Sequence, residues 1–124
     1  MIPKWFRVAK KEAKKSTYKH KLGACVVKGG SVVSKGHNEI RYCATGANKY
    51  SEWRESLHAE RAALSKLKKS EITGSSVFVV RVTEEQKWAL AKPCSQCMYM
   101  LRDLGVKKVV FSISEFPYFA EIKF

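Results

Sequence analysis

The sequence predicts an α/β fold: a mixed sheet of about five strands with helices on both faces. Three observations lead there. Two β-branched runs flank Gly29-Gly30, a strand–helix–strand–helix–strand alternation follows them, and residues 77–82 form an apolar run interrupted only by Arg81. The 124 residues suffice for one domain with one real core, over 1–124.

Residues 2–16 read as an amphipathic helix. Ile2, Trp5, Phe6, Ala9 and Ala13 recur at helical spacing, while Lys4, Arg7, Lys11 and Lys15 fall on other faces. Such a basic helix can lie on a membrane, but Trp5 and Phe6 favour docking on the chain's own sheet. Residues 22–28 and 31–34 are short strands joined by the Gly-Gly turn. Residues 36–54 show no clean period and read as a loop. Residues 57–69 form a helix whose lysine-rich end suits the helix dipole. A turn at 70–75 leads to the strand at 77–82, expected to be central, and a polar connection at 83–92 carries Trp88. Pro93 opens a helix running to Leu104, closed by Gly105. A strand at 106–113 follows, and 117–124 is a last short strand or an extended tail.

With 45% hydrophobic and 28% charged residues, the chain is globular rather than disordered. It has no apolar run of about 18 residues, so no membrane span is expected, and its Lys-rich start does not resemble a secretory signal. A cytoplasmic, reducing setting is therefore expected, with the four cysteines as thiols or metal ligands rather than disulfides. The net charge is +13, and residues 1–28 hold nine Lys or Arg against the single acid Glu12. A solvated lysine surface would serve solubility, yet this excess goes beyond that need. It points to a phosphate-bearing partner, either a nucleotide or a single-stranded nucleic acid met through the basic surface.

The chemistry sits in His58-Ala59-Glu60 and Pro93-Cys94-Ser95-Gln96-Cys97. These supply three zinc ligands, His58, Cys94 and Cys97, and one spare carboxylate, Glu60. A structural zinc usually has four protein ligands, whereas a hydrolytic one has three and leaves a position for water. Cys94 and Cys97 share one face of one helical turn, where the dipole favours thiolates. Glu60 is then available to move protons between water and substrate. A zinc knuckle would want a fourth ligand at tight spacing, and neither Cys25 nor Cys43 lies in a second C-x-x-C. A second metal at His20 or His37, with Cys25 or Cys43, is not demanded by the spacing.

H-x-E…P-C-x-x-C is the signature of zinc nucleobase deaminases, and the chain resembles the cytidine/deoxycytidylate deaminase superfamily over about residues 20–112. The resemblance rests on Gly23-Ala24-Cys25-Val26-Val27, Gly36-His37-Asn38, the two motifs above, and Leu104-Gly105-Val106-Lys107-Lys108-Val109-Val110. It implies a three-layer α-β-α cytidine deaminase-like fold, one Zn²⁺ per chain and a homo-oligomer. It also implies that Asn38 binds the sugar or phosphate region. The backbone at Ala24 and Cys25 would read the base, and Ala59 with the start of the Cys94 helix, including Ser95, would line the ring pocket.

The expected activity is hydrolysis of an amidine C–N bond, turning a cytosine-type base into a uracil-type one with release of ammonia, on a free nucleotide such as dCMP or CMP. Cytosine in single-stranded DNA or RNA and adenosine in tRNA remain alternatives, because the motif does not separate them. Residues 39–56, with Arg41, Tyr42, Tyr50, Trp53 and Arg54, suit base stacking and phosphate pairing or a loop packed on the core. A nucleic-acid-binding module with a structural zinc is the non-enzyme alternative, and Glu60 argues against it.

Overall fold

A computed structural model of the chain describes residues 2–16, 21–38, 59–85 and 87–124. Helix α1 (Trp5–Ala13) precedes the hairpin β1 (Lys21–Lys28) and β2 (Ser31–His37). Then come α2 (Ala59–Leu64), α3 (Lys69–Ile72), β3 (Ser76–Val82), β4 (Trp88–Ala89), α4 (Ser95–Asp103), β5 (Lys108–Ser112) and β6 (Phe119–Lys123). Among the described residues the sheet has six strands, five in the order β2-β1-β3-β5-β6, with the two-residue β4 on the end of β3. Only β3 and β5 run parallel among the pairs described; the others are antiparallel.

Period-two alternation explains why β3 is buried on both sides. Val77 and Val79 join Ala24 and Val26 of β1 and Val109 and Phe111 of β5 beneath α2, α3 and α4. Phe78, Val80 and Val82 join Cys25, Val27 and Val110 beneath Phe6, Ala9 and Ala13 of α1. The result is the three-layer arrangement expected from the sequence. Helix α1 docks on the sheet, with the Phe6 ring 5.6 Å from Trp88 and 6.4 Å from Phe78.

Glycines decide two local features. Gly29 and Gly30 have φ of 63° and 79°, the left-handed pair that a tight two-residue hairpin requires. Gly23 and Gly36 instead permit close approach: a methyl group at Gly23 would meet the α1 backbone at Ala9 and Ala13, and one at Gly36 would meet α2 at Ala62 and Ala63. Gly23→Ala should therefore cost about 2–3 kcal/mol, because the obstructing atoms are backbone and cannot rotate away. Urea unfolding would check this.

Several boundaries differ from the sequence expectations. Helix α1 is shorter than 2–16, with Lys4 and Lys14 as its caps. The helix expected over 57–69 breaks after Leu64. Lys68 is extended, at φ −80° and ψ 157°, and its N–H donates to the Glu71 carboxylate at 2.8 Å. That contact starts α3 at Lys69, the last residue of the expected helix, and α3 runs on into the segment read as a turn. Strand β4 lies in the presumed polar connection. Helix α4 starts at Ser95 with Cys94 as N-cap, so Pro93 stands just before the cap rather than in the first turn. Gly105, at φ 85°, closes α4 as expected.

Candidate active site

Two helix starts bring the site together. Glu60 is the second residue of α2 and is only 4% exposed. Cys94 caps α4, and its Sγ accepts from the Cys97 backbone N–H at 3.5 Å. Cys97 lies in the first turn of α4 and is 1% exposed. Burial pushes the Cys97 thiol well above its ordinary range. The Glu60 carboxylate and Cys94 push it the same way, and Arg61 opposes them. Glu60 on α2 is therefore an electrostatic neighbour of the α4 cysteines.

Glu60 and Cys97 are buried while Cys94 stands exposed at the cap of α4. Ionised together, the carboxylate and thiolates would repel one another, and a divalent cation would reverse that repulsion. Two sulfurs from one helical turn are also a soft donor pair suited to zinc. The residues present fit the metal. His58, the third expected ligand, lies outside the described residues, as do His20, Cys43 and the aromatic and basic residues of 39–56. Among the described residues alone, no group of three or more His, Cys, Asp or Glu is positioned to hold a metal.

The predicted substrate residues divide by location. Ala24 and Ala59 are buried in one cluster beneath α2 and α4. The Cys25 side chain turns to the opposite face, where its Sγ donates to the Trp5 carbonyl at 3.6 Å and burial lifts its thiol to about 12. The Cys25 side chain thus lies on the α1 face of the sheet, away from Ala24 and Ala59. Ser95 is exposed and lines a surface groove of about 490 Å³ along α4 with Pro93, Tyr99, Arg102 and Phe124. Asn38 is buried, and its Oδ1 accepts from Leu22 N–H at 2.9 Å while its own N–H donates to Leu22 O at 3.1 Å. It closes the β1–β2 ladder across sixteen residues.

Two supporting residues carry no signal in the sequence. Ser112 is fully buried; its hydroxyl donates to Ala89 O at 2.6 Å and accepts from Arg81 N–H at 3.0 Å, and its carbonyl accepts from Ala91 N–H at 2.9 Å. It pins the segment that leads into Pro93 and Cys94. Ser112→Ala should destabilise the fold by about 1–3 kcal/mol, since it removes the buried hydroxyl that the half-buried Ala89 carbonyl and Arg81 N–H share; thermal unfolding would read the loss.

Glu12 is the other. Its carboxylate meets His37 Nδ1 at 3.1 Å and Lys15 Nζ at 3.2 Å. His37 is thereby engaged next to Asn38. Burial works to raise the Glu12 carboxyl, but its contacts with His37 and Lys15 outweigh that and hold it below the usual carboxylate range. A lowered folded pKa stabilises above the ordinary carboxylate value, and the contribution is lost as pH falls through the lowered one. Glu12→Gln should therefore flatten the acid limb of stability against pH, measured by urea unfolding across a pH series.

Fold and site together define an α/β protein with a thiol-and-carboxylate centre where two helix starts converge. The chain belongs to the cytidine and deoxycytidylate deaminase family: the model of that family's zinc-binding region matches residues 2–113. Among solved structures, the chain is similar to the dCMP deaminase of cyanophage S-TIM5 in its apo form, with 28% identity and a TM-score of 0.65 over 91% of this chain and 86% of that one. The same phage enzyme in complex with dCMP and dUMP aligns at 30% identity and a TM-score of 0.60, over 91% and 84% of the two chains. A cytidine deaminase from Burkholderia pseudomallei shares the fold at 20% identity and a TM-score of 0.64, over 94% and 87%. No curated protein matches the chain significantly by sequence.

Proposed function

We propose that this chain is a zinc-dependent hydrolase that deaminates a cytosine-type base on a free nucleotide, with dCMP or CMP as substrate. The observation that carries the reading is Glu60, a carboxylate buried beside Cys97, where a merely structural metal would have no use for it. His58, Cys94 and Cys97 would hold one zinc ion, which when bound supplies Lewis acidity to the attacking water. Glu60 takes a proton from that water as its oxygen bonds to the ring carbon bearing the exocyclic amine. It passes that proton to the ring nitrogen and then moves the second proton from the new hydroxyl to the departing amine, so that the C–N bond breaks, the hydroxyl becomes a ring carbonyl and ammonia leaves.

The rest of the chain orients the base. Ala59 and Ser95 border the ring, the backbone at Ala24 and Cys25 reads its edge, and Asn38 holds the sugar or phosphate region. The net charge of +13 attracts the phosphate. The choice of dCMP draws on the similarity to the phage enzyme crystallised with dCMP and dUMP. Self-association and an intracellular setting complete the proposal.

The same charge favours a second reading, cytosine within a single strand. The test is to incubate zinc-loaded protein with dCMP, CMP, cytidine, single-stranded oligonucleotides and tRNA, following ammonia and the C-to-U and A-to-I products. Turnover of the mononucleotides is expected. Deamination confined to oligonucleotides, with affinity falling steeply in salt, would overturn the free-nucleotide reading in favour of the second.

A further inference from the structure

Helix α1 uses its apolar side and its only acid internally. Phe6, Ala9 and Ala13 are buried in the sheet, and Glu12 is engaged by His37 and Lys15. What faces outward is basic: Lys4, Arg7, Lys11, Lys14 and Lys15 are all exposed. At about 100° per residue these five fall within an arc of roughly 100°, and Lys4 to Lys14 spans about 15 Å along the axis.

That spacing works against the helix. Arg7 with Lys11 is a like-charge pair at i,i+4, while Lys4 with Arg7 and Lys11 with Lys14 are like charges at i,i+3; Lys15 follows the helix and is paired with Glu12. Such pairs destabilise a helix, and a face made only for water would interleave Glu with Lys. No acid of α1 faces outward to offset them. Within α1 the single acid, Glu12, is turned to Lys15 and His37 and leaves Lys4, Arg7 and Lys11 without an acidic neighbour on their own helix.

We propose that this stripe is a docking strip for the phosphate backbone of single-stranded nucleic acid. One nucleotide phosphate would occupy only one end of a row this long, whereas a strand supplies anions along all of it. An anionic membrane fits less well, because surface helices hold membranes by inserting an apolar face, and the apolar face of α1 is in the core. Half-buried Trp5 and Trp88 border the strip with Lys4 Nζ 4.7 Å and Lys10 Nζ 5.3 Å from their rings, which places aromatic surface beside the cations. The strip ends where Glu12 meets His37, adjacent to Asn38, so a docked strand runs toward the Asn38 end of the sheet. The proposal goes beyond the free-nucleotide reading, since the strip holds a strand whether or not that strand contains the substrate base.

The test is fluorescence anisotropy of a labelled oligothymidylate titrated with the whole chain at several salt concentrations. About four neutralised phosphates predict roughly 50-fold weaker binding between about 50 mM and about 200 mM salt. Combined Lys4→Gln, Arg7→Gln, Lys11→Gln and Lys14→Gln should weaken low-salt binding by at least about tenfold and remove most of that salt dependence, with circular dichroism unchanged. Combined Lys4→Arg, Lys11→Arg and Lys14→Arg should bind like the wild type. A control that removes four exposed cations elsewhere, Lys66→Gln, Lys69→Gln, Lys107→Gln and Lys123→Gln, should keep most of the affinity. Equal loss in the control and the stripe variant overturns the proposal. So does a wild type that ignores the oligonucleotide, or that binds only phosphatidylserine vesicles. Binding is read without catalysis, so failure of the strip and failure of the deaminase reading are separate results.

Discussion

Glu60→Gln should reduce turnover of dCMP by on the order of 10⁴-fold or more while the protein stays folded and keeps about one zinc per chain. The substitution preserves the volume and one hydrogen-bonding oxygen of a side chain that is 4% exposed, so packing around α2 changes little. What it removes is the ability to carry a proton. In the proposed reaction that single group serves both the attacking water and the departing amine, so one substitution disables two transfers. Ammonia release together with zinc content decides the matter. Full activity in Glu60→Gln would sink the mechanism. Loss of both activity and zinc would instead assign Glu60 to holding the metal.

Cys97→Ala should abolish turnover by a different route, leaving zinc at less than about a tenth per chain. Cys97 is almost wholly enclosed at the first turn of α4. Cys94 caps the same helix, accepting the Cys97 N–H. Metal bound to the folded chain and not to the unfolded one stabilises the fold, so the variant should also unfold at a lower temperature. The gap should shrink when a chelator strips both proteins, leaving only the small effect of one missing buried sulfur. A gap that persists unchanged in chelator would mean that Cys97 contributes packing and no metal binding.

The parts of the fold that local chemistry controls were legible in the sequence. Gly29-Gly30 announced its turn because few other residues take two positive φ values in succession. The run at 77–82 announced a central strand because only a strand covered on both faces is apolar throughout. Pro93-Cys94-Ser95-Gln96-Cys97 announced a helix start and a donor pair together, and the structure shifts that start by two residues at most.

Long-range partners were not legible. Nothing near Asn38 shows that its oxygen holds Leu22, and nothing near Ser112 shows that it ties down Ala89 and Arg81. Strand β4 is two residues long, too short to carry a period. The break after Leu64 depends on a lysine that turns extended so that Glu71 can cap it. The side of the strand to which Cys25 turns follows from register with α1, which a motif match does not encode.

The hairpin turn also has a practical consequence. Gly29 and Gly30 have open space around them, and β1 leads from that turn to Lys21, which pairs with Val82 where the chain heads into β4 and Cys94. Eight residues of strand put the two ends about 25 Å apart. A dye or a fused reporter carried at the turn would sit at the end of β1 opposite Lys21, giving an optical handle at the end of the sheet away from Asn38 and from the entry to α4.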